Sequence, residues 1–184
     1  MSAVSRQVIA AALTIGTMAC AKLGYTDRVR WRLPSPDGKW LAVCQEVPEF
    51  DGPSYAVRLQ RPDGTVIGQI YQNGDGDPCS EMAWSPDSRT LAILSGHVAR
   101  VRFIDVAWAL EHMAEVRRVF WPQIDLGNER LHRNAGGLRF TGPREIELQV
   151  CGERPYTPGD AGRRSCGADA ETRRITAPDF PGRR

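Results

Sequence analysis

Ser-Pro-Asp-Gly-Lys-Trp-Leu-Ala at residues 35–42 is repeated as Ser-Pro-Asp-Ser-Arg-Thr-Leu-Ala at residues 85–92, with five of the eight positions identical. The proline fixes φ at the first corner of a turn, and the aspartate that follows can bond nearby backbone donors. Each copy therefore predicts a strand, a tight turn and a second, apolar strand. The residues assigned to this structural repeat are Ser35, Pro36, Asp37, Gly38, Trp40 and Leu41 in the first copy, and Trp84, Ser85, Pro86, Asp87 and Leu91 in the second.

A third copy lies further along the chain, at residues 138–146. There Phe140-Thr141 stands in the place of Trp84-Ser85, and the turn is one residue shorter. Repeats at a spacing of this size indicate an architecture of stacked units. Because Leu41 and Leu91 hold matching places in the first two copies, we expect both to point into the space between neighbouring sheets.

The sequence between the repeats also favours strands. Residues 29–33, 98–106 and 145–150 alternate apolar and polar side chains with the period of two that a half-buried strand shows. Arg61-Pro62-Asp63-Gly64 separates two apolar runs and predicts a hairpin. Arginines on the polar faces are expected to lie across from glutamates on neighbouring strands. One short helix is predicted over residues 106–116, where it would decorate an edge.

The motif Trp-Ser-Pro-Asp-Gly-x-x-Leu-Ala, which the two copies spell out between them, resembles the WD40-like blade repeat of β-propellers. It is found in the Tol-system periplasmic propeller and in the propeller domains of prolyl oligopeptidases and dipeptidyl peptidases. The resemblance implies four-stranded antiparallel blades whose role is binding or gating. In those peptidases the catalytic residues lie on a separate hydrolase domain, for which this chain is too short.

The predicted fold is therefore all-β, with antiparallel propeller-blade-like sheets and one short helix. Two or three blade repeats fall below the four that close a ring, so the ring is expected to be incomplete. An incomplete ring exposes sheet edges and an apolar face. The chain is expected to cap these with its helix and tail, to close them by self-association, or to present them to a partner.

Residues 1–21 are expected to form a signal peptide. Arg6 precedes an uncharged, largely apolar run over residues 8–19, and small residues follow it. The end of the run resembles a lipoprotein box, in which Cys20 would be lipidated. It equally fits the A-x-A site of an ordinary signal peptidase; of the two, we favour lipidation. Residues 22–176 would then form a single β domain, and residues 177–184 a frayed tail.

Four further cysteines, Cys44, Cys79, Cys151 and Cys166, form an even set in a chain that is predicted to be exported. Such a set predicts two disulfides, with three possible connectivities. The short loop between Cys151 and Cys166 favours that pair and leaves Cys44 with Cys79. The sequence contains no C-x-x-C motif, which disfavours a metal site at these cysteines.

The sequence lacks the motifs that are typical of phosphate-binding, hydrolase and zinc-protease sites. It contains no glycine-rich phosphate loop, no G-x-S-x-G elbow and no H-E-x-x-H pair. The net charge of +2 is too small to indicate nucleic-acid binding. Asn73, Asp75 and Asp77 alternate like the first ligands of a calcium loop, but Pro78 stands where that loop requires glycine. They are a weak metal candidate, and no cofactor is expected.

These observations favour an exported protein of a bacterial cell envelope, periplasmic or membrane-tethered, that acts as a non-catalytic binding module. Its expected partners are envelope proteins or a second copy of the chain, with no nucleic acid. One alternative is a structural accessory that completes a larger envelope complex. The other is a small hydrolase whose carboxylates, Asp75, Asp77 and Glu81, converge only in three dimensions.

Overall fold

The computed structural model describes residues 28–49, 52–73, 79–95, 99–116, 120–126, 135–151 and 170–180. Within these ranges the chain forms eleven strands and one α-helix. In chain order they are β1 (Arg28–Pro34), β2 (Leu41–Glu49), β3 (Gly52–Gln60), β4 (Val66–Asn73), β5 (Cys79–Trp84), β6 (Thr90–Ser95), β7 (Arg100–Asp105), α1 (Val106–Glu111), β8 (Gln123–Asp125), β9 (Ala135–Phe140), β10 (Glu145–Val150) and β11 (Glu171–Thr176).

The strands form three antiparallel sheets in which each strand pairs with its neighbour in the sequence. The order is β1-β2-β3-β4 in the first sheet, β5-β6-β7-β8 in the second and β9-β10-β11 in the third. We call these sheets blade 1, blade 2 and blade 3. The predicted fold, all-β with blade-like antiparallel sheets and one short helix, is confirmed.

The repeated motif forms the turn between the first and second strands of a blade. In blades 1 and 2 the turns close with bonds of 2.8 Å from the Ser35 amide to the Trp40 carbonyl and from the Ser85 amide to the Thr90 carbonyl. In blade 3 the Thr141 amide bonds the Glu145 carbonyl, also at 2.8 Å. The third turn is therefore one residue shorter, as the gap in the third copy predicts.

Blade 2 lies between the other two blades and is buried on both faces. Because side chains alternate along a strand, Leu91 and Ile93 of β6 face a cluster shared with blade 1, whereas Ala92 and Leu94 face a cluster shared with blade 3. We call these the first and second clusters. Every residue of β6 is buried, which identifies this strand as the centre of the fold.

The helix is shorter than predicted and plays a different part. α1 ends at Glu111, five residues before the predicted end, with Asp105 as its N-cap. Its buried residues belong to the first cluster, and Met113 in the turn beyond it lies so close to Gly68 that a Cβ there would clash with the sulfur. The helix therefore packs against the boundary between blades 1 and 2 and does not decorate a free edge.

The segment after β11 is packed against blade 3. Ala177 is buried in the second cluster, and its amide donates to the Arg144 carbonyl at 2.7 Å. Phe180 packs against the same cluster. Ala177 and Phe180 thus pack on blade 3 at the start of the predicted frayed tail, whereas Asp179 between them is exposed; residues 181–184 lie outside the described residues.

Candidate functional site

The Ser-Pro-Asp turns hold themselves together with their own side chains. The Ser35 hydroxyl donates to Asp37 Oδ1 at 2.6 Å and accepts from the Trp40 amide at 3.0 Å. Ser85, Asp87 and Thr90 repeat this arrangement at 2.6 and 2.8 Å. The hydrogen bond from Ser35 lowers the pKa of Asp37. In both copies the serine and aspartate side chains of the motif bond within the turn, so they stabilise its structure.

The two turns are also bonded to each other. Gly38 has a φ of 69°, and Ser88, at the matching place, has a φ of 58°. This left-handed region suits glycine and strains other residues. The Ser88 hydroxyl accepts a hydrogen bond of 3.0 Å from the Asp37 amide. The second turn therefore has a serine where the first turn has a glycine, and the hydroxyl of this serine links blade 2 to blade 1.

Three indole groups join blades 1 and 2. The Nε1 of Trp31 donates to the Cys79 carbonyl at 3.0 Å, that of Trp84 to the Leu33 carbonyl at 3.1 Å, and that of Trp121 to the Ile70 carbonyl at 3.1 Å. Trp84 and Trp121 are buried, and a buried indole N–H requires an acceptor, whereas Trp31 is 38% exposed; all three donate to a carbonyl of the facing blade. These tryptophans stabilise the boundary between the blades.

Glu81 is the one described residue among the three carboxylates of the hydrolase alternative. Its side chain accepts hydrogen bonds from backbone amides. Its two carboxylate oxygens accept hydrogen bonds from the Gly137 amide at 3.1 Å and the Leu138 amide at 2.8 Å. Glu81 lies on β5 and its partners on β9, so this carboxylate connects the first strands of blades 2 and 3. Asp75 and Asp77, the other two members, lie outside the described residues.

The other candidate sites fall largely outside the described ranges. Asn73 ends β4, whereas its supposed metal partners Asp75 and Asp77 are not described. The described part of the chain contains no cluster of three potential metal-ligating His, Cys, Asp or Glu residues. Within that part, no helix is long and apolar enough to cross a membrane. Cys20 and residues 1–21 are likewise not described.

The cysteines differ from the prediction in one respect. Cys44 on β2 and Cys79 on β5 are both buried in the first cluster, yet no disulfide joins them. Both thiols fit the apolar contact between blades 1 and 2, where cysteine packs as a small hydrophobe. The predicted Cys44–Cys79 bridge is therefore not present in this structure. Cys151 follows β10, and the pairing with Cys166 stays a prediction because Cys166 lies outside the described residues.

Blade 3 carries an ion-pair ladder on its outer face, the face turned away from blade 2. Glu147 lies across from Arg139 on one side and Arg174 on the other. Its carboxylate bonds Arg139 at 2.5 Å and Arg174 at 3.3 Å. The hydrogen bond from Arg139 is the main cause that lowers the pKa of Glu147. Cross-strand arginine and glutamate thus meet as predicted, and they make this face polar.

Blade 1 has a different outer face, which we call the open face. Its members alternate with those of the first cluster and are cross-strand partners of one another. They are Val29, Arg32, Pro34, Leu41, Val43, Gln45, Val47, Ser54, Ala56, Arg58, Gln60, Val66, Gln69 and Gln72. Val29 and Val66 are among the exposed large apolar residues, at 37% and 53%. Among the side chains described on this face, none is acidic.

Leu41 belongs to the open face and not to a contact between blades. It pairs with Pro34 and Gln60, is only half-buried, and is absent from the first cluster. Leu91 is fully buried in the first cluster. The expectation that both leucines point between neighbouring sheets is met by Leu91 alone, because no described blade precedes blade 1.

Arg102 of blade 2 holds the position in its sheet that Arg58 holds in blade 1. Arg102 lies across from Ile93, as Arg58 lies across from Val43. Arg102 reaches into blade 1, where it donates to the Tyr71 hydroxyl and lies 5.0 Å from the centre of that ring. Burial lowers the pKa of Arg102. Sequence reasoning missed this pair, although the arginine on an alternating strand was visible.

Comparisons with known proteins give a limited result. No protein-family model matches the sequence, and no characterised protein matches it. Among solved structures the chain is similar to Hsv2 of Kluyveromyces lactis, a yeast β-propeller, both with its complete loop 6CD and with that loop replaced by a Gly-Ser linker. In each case the TM-score is 0.46, the identity 14% and the coverage of this chain 84%. The chain spans about half the length of those structures, 50% and 47%.

Proposed function

We propose that this chain is an exported, non-catalytic interaction module of a bacterial cell envelope, tethered through a lipid on Cys20 or released into the periplasm. The observation that carries the proposal is the difference between the two ends of the blade stack. The outer face of blade 3 carries exposed arginines that are already paired with Glu147 in its ion-pair ladder. The open face of blade 1 combines exposed valines with half-buried Leu41, and such a mixture marks interaction surfaces.

The roles of the polar side chains support a binding function over catalysis. A general acid or base must be within reach of a substrate. The carboxylate of Glu81 instead accepts two backbone hydrogen bonds between blades, and that of Asp37 accepts bonds within its own turn. The three indole groups that bond across blades are likewise occupied. These carboxylates and indole groups therefore stabilise the turns and the contacts between blades.

A structural accessory that completes a larger envelope complex is the second candidate. The matching places of Leu41 and Leu91 favour it, because Leu91 packs on a preceding blade and Leu41 has the same position in the repeat. The two candidates differ in partner, since an accessory would have one permanent companion, whereas a general module would exchange ligands.

The cellular location is tested by fractionating bacteria that express the full chain. We expect a product shortened by about 20 residues in the envelope fraction, as signal peptides of this kind are removed. A Cys20→Ala variant should lose incorporated fatty acid and leave the membrane, whereas a chain lacking residues 1–21 should stay in the cytoplasm as the matched control. An uncleaved product confined to the cytoplasm would contradict the proposal.

The interaction itself is tested on native extracts of the same envelopes. We expect the chain to migrate at a mass well above its 20.4 kDa monomer after gentle detergent solubilisation. Migration as a monomer from freshly solubilised envelopes, at the protein's natural level, would contradict a role as an interaction module.

A further inference from the structure

Blade 3 has one described strand fewer than the other two blades. Blades 1 and 2 each contain four strands, whereas blade 3 contains three, with β11 at one side. In the described part of the chain, β11 pairs with β10 alone. The residues after it do not return along β11, because Ala177 and Phe180 pack on the second cluster. We call the side of β11 that is turned away from β10 the blade 3 edge.

One hydrogen bond shows which backbone groups of β11 face this edge. Residues directly opposite each other on antiparallel strands alternate between pairs that exchange backbone bonds and pairs that do not. The Ala177 amide bonds the Arg144 carbonyl at 2.7 Å, and the register of β10 with β11 continues from this pair without a shift. Every second residue counted back from Ala177 therefore turns its backbone groups to β10. The residues between them, which turn theirs to the blade 3 edge, are Thr172, Arg174 and Thr176.

Blade 2 shows how the matching backbone groups are used when a fourth strand is present. Phe103 of β7 and Arg174 of β11 hold the same place, because each lies two residues before the one that pairs with the start of its blade's second strand. The Phe103 amide donates to the Pro122 carbonyl at 3.0 Å, immediately before β8. Two residues earlier, Val101 lies across from Ile124 of β8. In blade 2 these groups therefore bind a neighbouring strand.

The blade 3 edge is accessible to a further strand. Thr172, Arg174 and Thr176 are exposed, and β11 contains neither proline nor glycine. A strand at the side of a sheet presents a row of backbone donors and acceptors with which another chain can pair. An added strand would bond the outward groups of β11 as β8 bonds those of β7, which is the geometry of β-strand addition.

Charges along β11 favour a second copy of the chain as the source of that strand. Two copies of β11 can pair antiparallel about a two-fold axis that passes beside one residue of each. With Thr172 at the axis, Glu171 of each copy lies across from Arg173 of the other copy, whereas Arg173 at the axis would oppose two arginines. Opposite charges across strands stabilise the pairing and like charges destabilise it. The strand is therefore complementary to itself in this register.

We propose that two copies of the chain associate through the blade 3 edge, with β11 of one copy antiparallel to β11 of the other and Thr172 at the two-fold axis. The two three-stranded sheets then form one continuous sheet. Glu171 and Arg173 already contact each other at 3.3 Å within one strand, so the backbone groups drive the pairing and the charges fix its register. Because both copies use the same surface, association stops at two.

The test is disulfide trapping in intact cells that make the full chain. Thr172→Cys places two thiols at the axis, where directly opposed Cα atoms are about 5.5 Å apart, a distance that a disulfide can span. Thr176→Cys is the matched control, because position 176 lies on the same strand and face but about 27 Å from its copy in this register. After mild oxidation, non-reducing electrophoresis should show a covalent dimer of the Thr172→Cys chain, and none of the Thr176→Cys chain beyond the parent level.

Charge variants in the Thr172→Cys background test the register. The Glu171 side chain is 66% exposed, so Glu171→Arg should leave circular dichroism and the unfolding midpoint unchanged. It should lower the yield of covalent dimer at least about tenfold, because an arginine then lies across from Arg173 of the other copy. Glu171→Arg combined with Arg173→Glu exchanges the two charges and should restore the yield.

Equal dimer yields from positions 172 and 176, a yield that Glu171→Arg leaves unchanged, or a disulfide from position 172 to a different protein would overturn the inference. The proposed function is judged separately. If no dimer is trapped while the chain still migrates well above its monomer mass, the module binds through another surface and this inference alone fails. If the dimer is trapped in a chain that stays uncleaved in the cytoplasm, the inference holds and the envelope role fails.

Discussion

The backbone amide of Asp37 donates to the hydroxyl of Ser88 at 3.0 Å, which bonds the turn of the first repeat to that of the second. Ser88 holds a left-handed φ of 58° to make this contact. Its hydroxyl is an acceptor that glycine at the same place could not supply.

Substitutions at Ser88 should separate the stabilisation by its hydrogen bond to Asp37 from the cost of its left-handed backbone conformation. Ser88→Ala removes the hydroxyl but keeps a Cβ in the left-handed region, so we expect a loss of about 1 kcal/mol in the free energy of unfolding. Ser88→Gly should cost less, because relief of roughly 1 kcal/mol of backbone strain offsets the lost bond. Urea unfolding measures both; equal losses would show that the strain has no effect.

Leu91 and Leu41 are matched in sequence but not in burial. Leu91→Ala leaves a cavity between blades and should cost about 2–5 kcal/mol, a large share of the roughly 5–15 kcal/mol of a domain. Leu41→Ala, on the open face, should cost less than half as much in the isolated chain. Thermal unfolding compares them, and similar losses would contradict the assignment of Leu41 to an outer face.

Glu81→Ala should loosen blade 3 from blade 2. The substitution leaves the amides of Gly137 and Leu138 without their charged acceptor, and such bonds contribute about 1.5–3 kcal/mol each. We expect hydrogen exchange at these two amides to accelerate first, ahead of exchange in β6. Glu81→Gln, which keeps one carbonyl oxygen, is the control and should fall between. Unchanged exchange at both amides would show that water satisfies them equally well.

Acid should destabilise the fold in part through Glu147. The folded chain lowers the pKa of this carboxyl, chiefly through its hydrogen bond to Arg139. Its contribution to stability is therefore present above the unfolded-state pKa and is lost as the pH falls through the lower folded-state pKa. Denaturation midpoints should decline in acid, and Glu147→Gln should make that decline shallower. High salt should also weaken the effect, since the ladder lies on the surface.

The strands and turns of this fold follow from local patterns. The alternation over residues 98–106 placed Val101 and Phe103 on a buried face, and the match between Gly38 and Ser88 indicated a chain reversal at both places. The helix was predicted too long, because Met113 continues the apolar spacing but packs on Gly68 from a turn.

The site depends on contacts that local patterns do not contain. The bond from Glu81 to the Leu138 amide joins residues 57 positions apart, and no spacing rule connects them. The same holds for the two outer faces, since period-two alternation shows that a strand has two faces but not which neighbour each one meets. Glu81 was singled out as a possible catalytic residue because its partners were invisible in the sequence.

The ladder on blade 3 also bears on how many molecules one assembly can contain. Head-to-tail association continues indefinitely when both ends of a subunit complement each other. Here Glu147 already pairs with Arg139 and Arg174 at one end, whereas the other end exposes Val29 and Val66, so the two ends do not complement each other. Two faces that differ in this way do not favour head-to-tail growth into fibres.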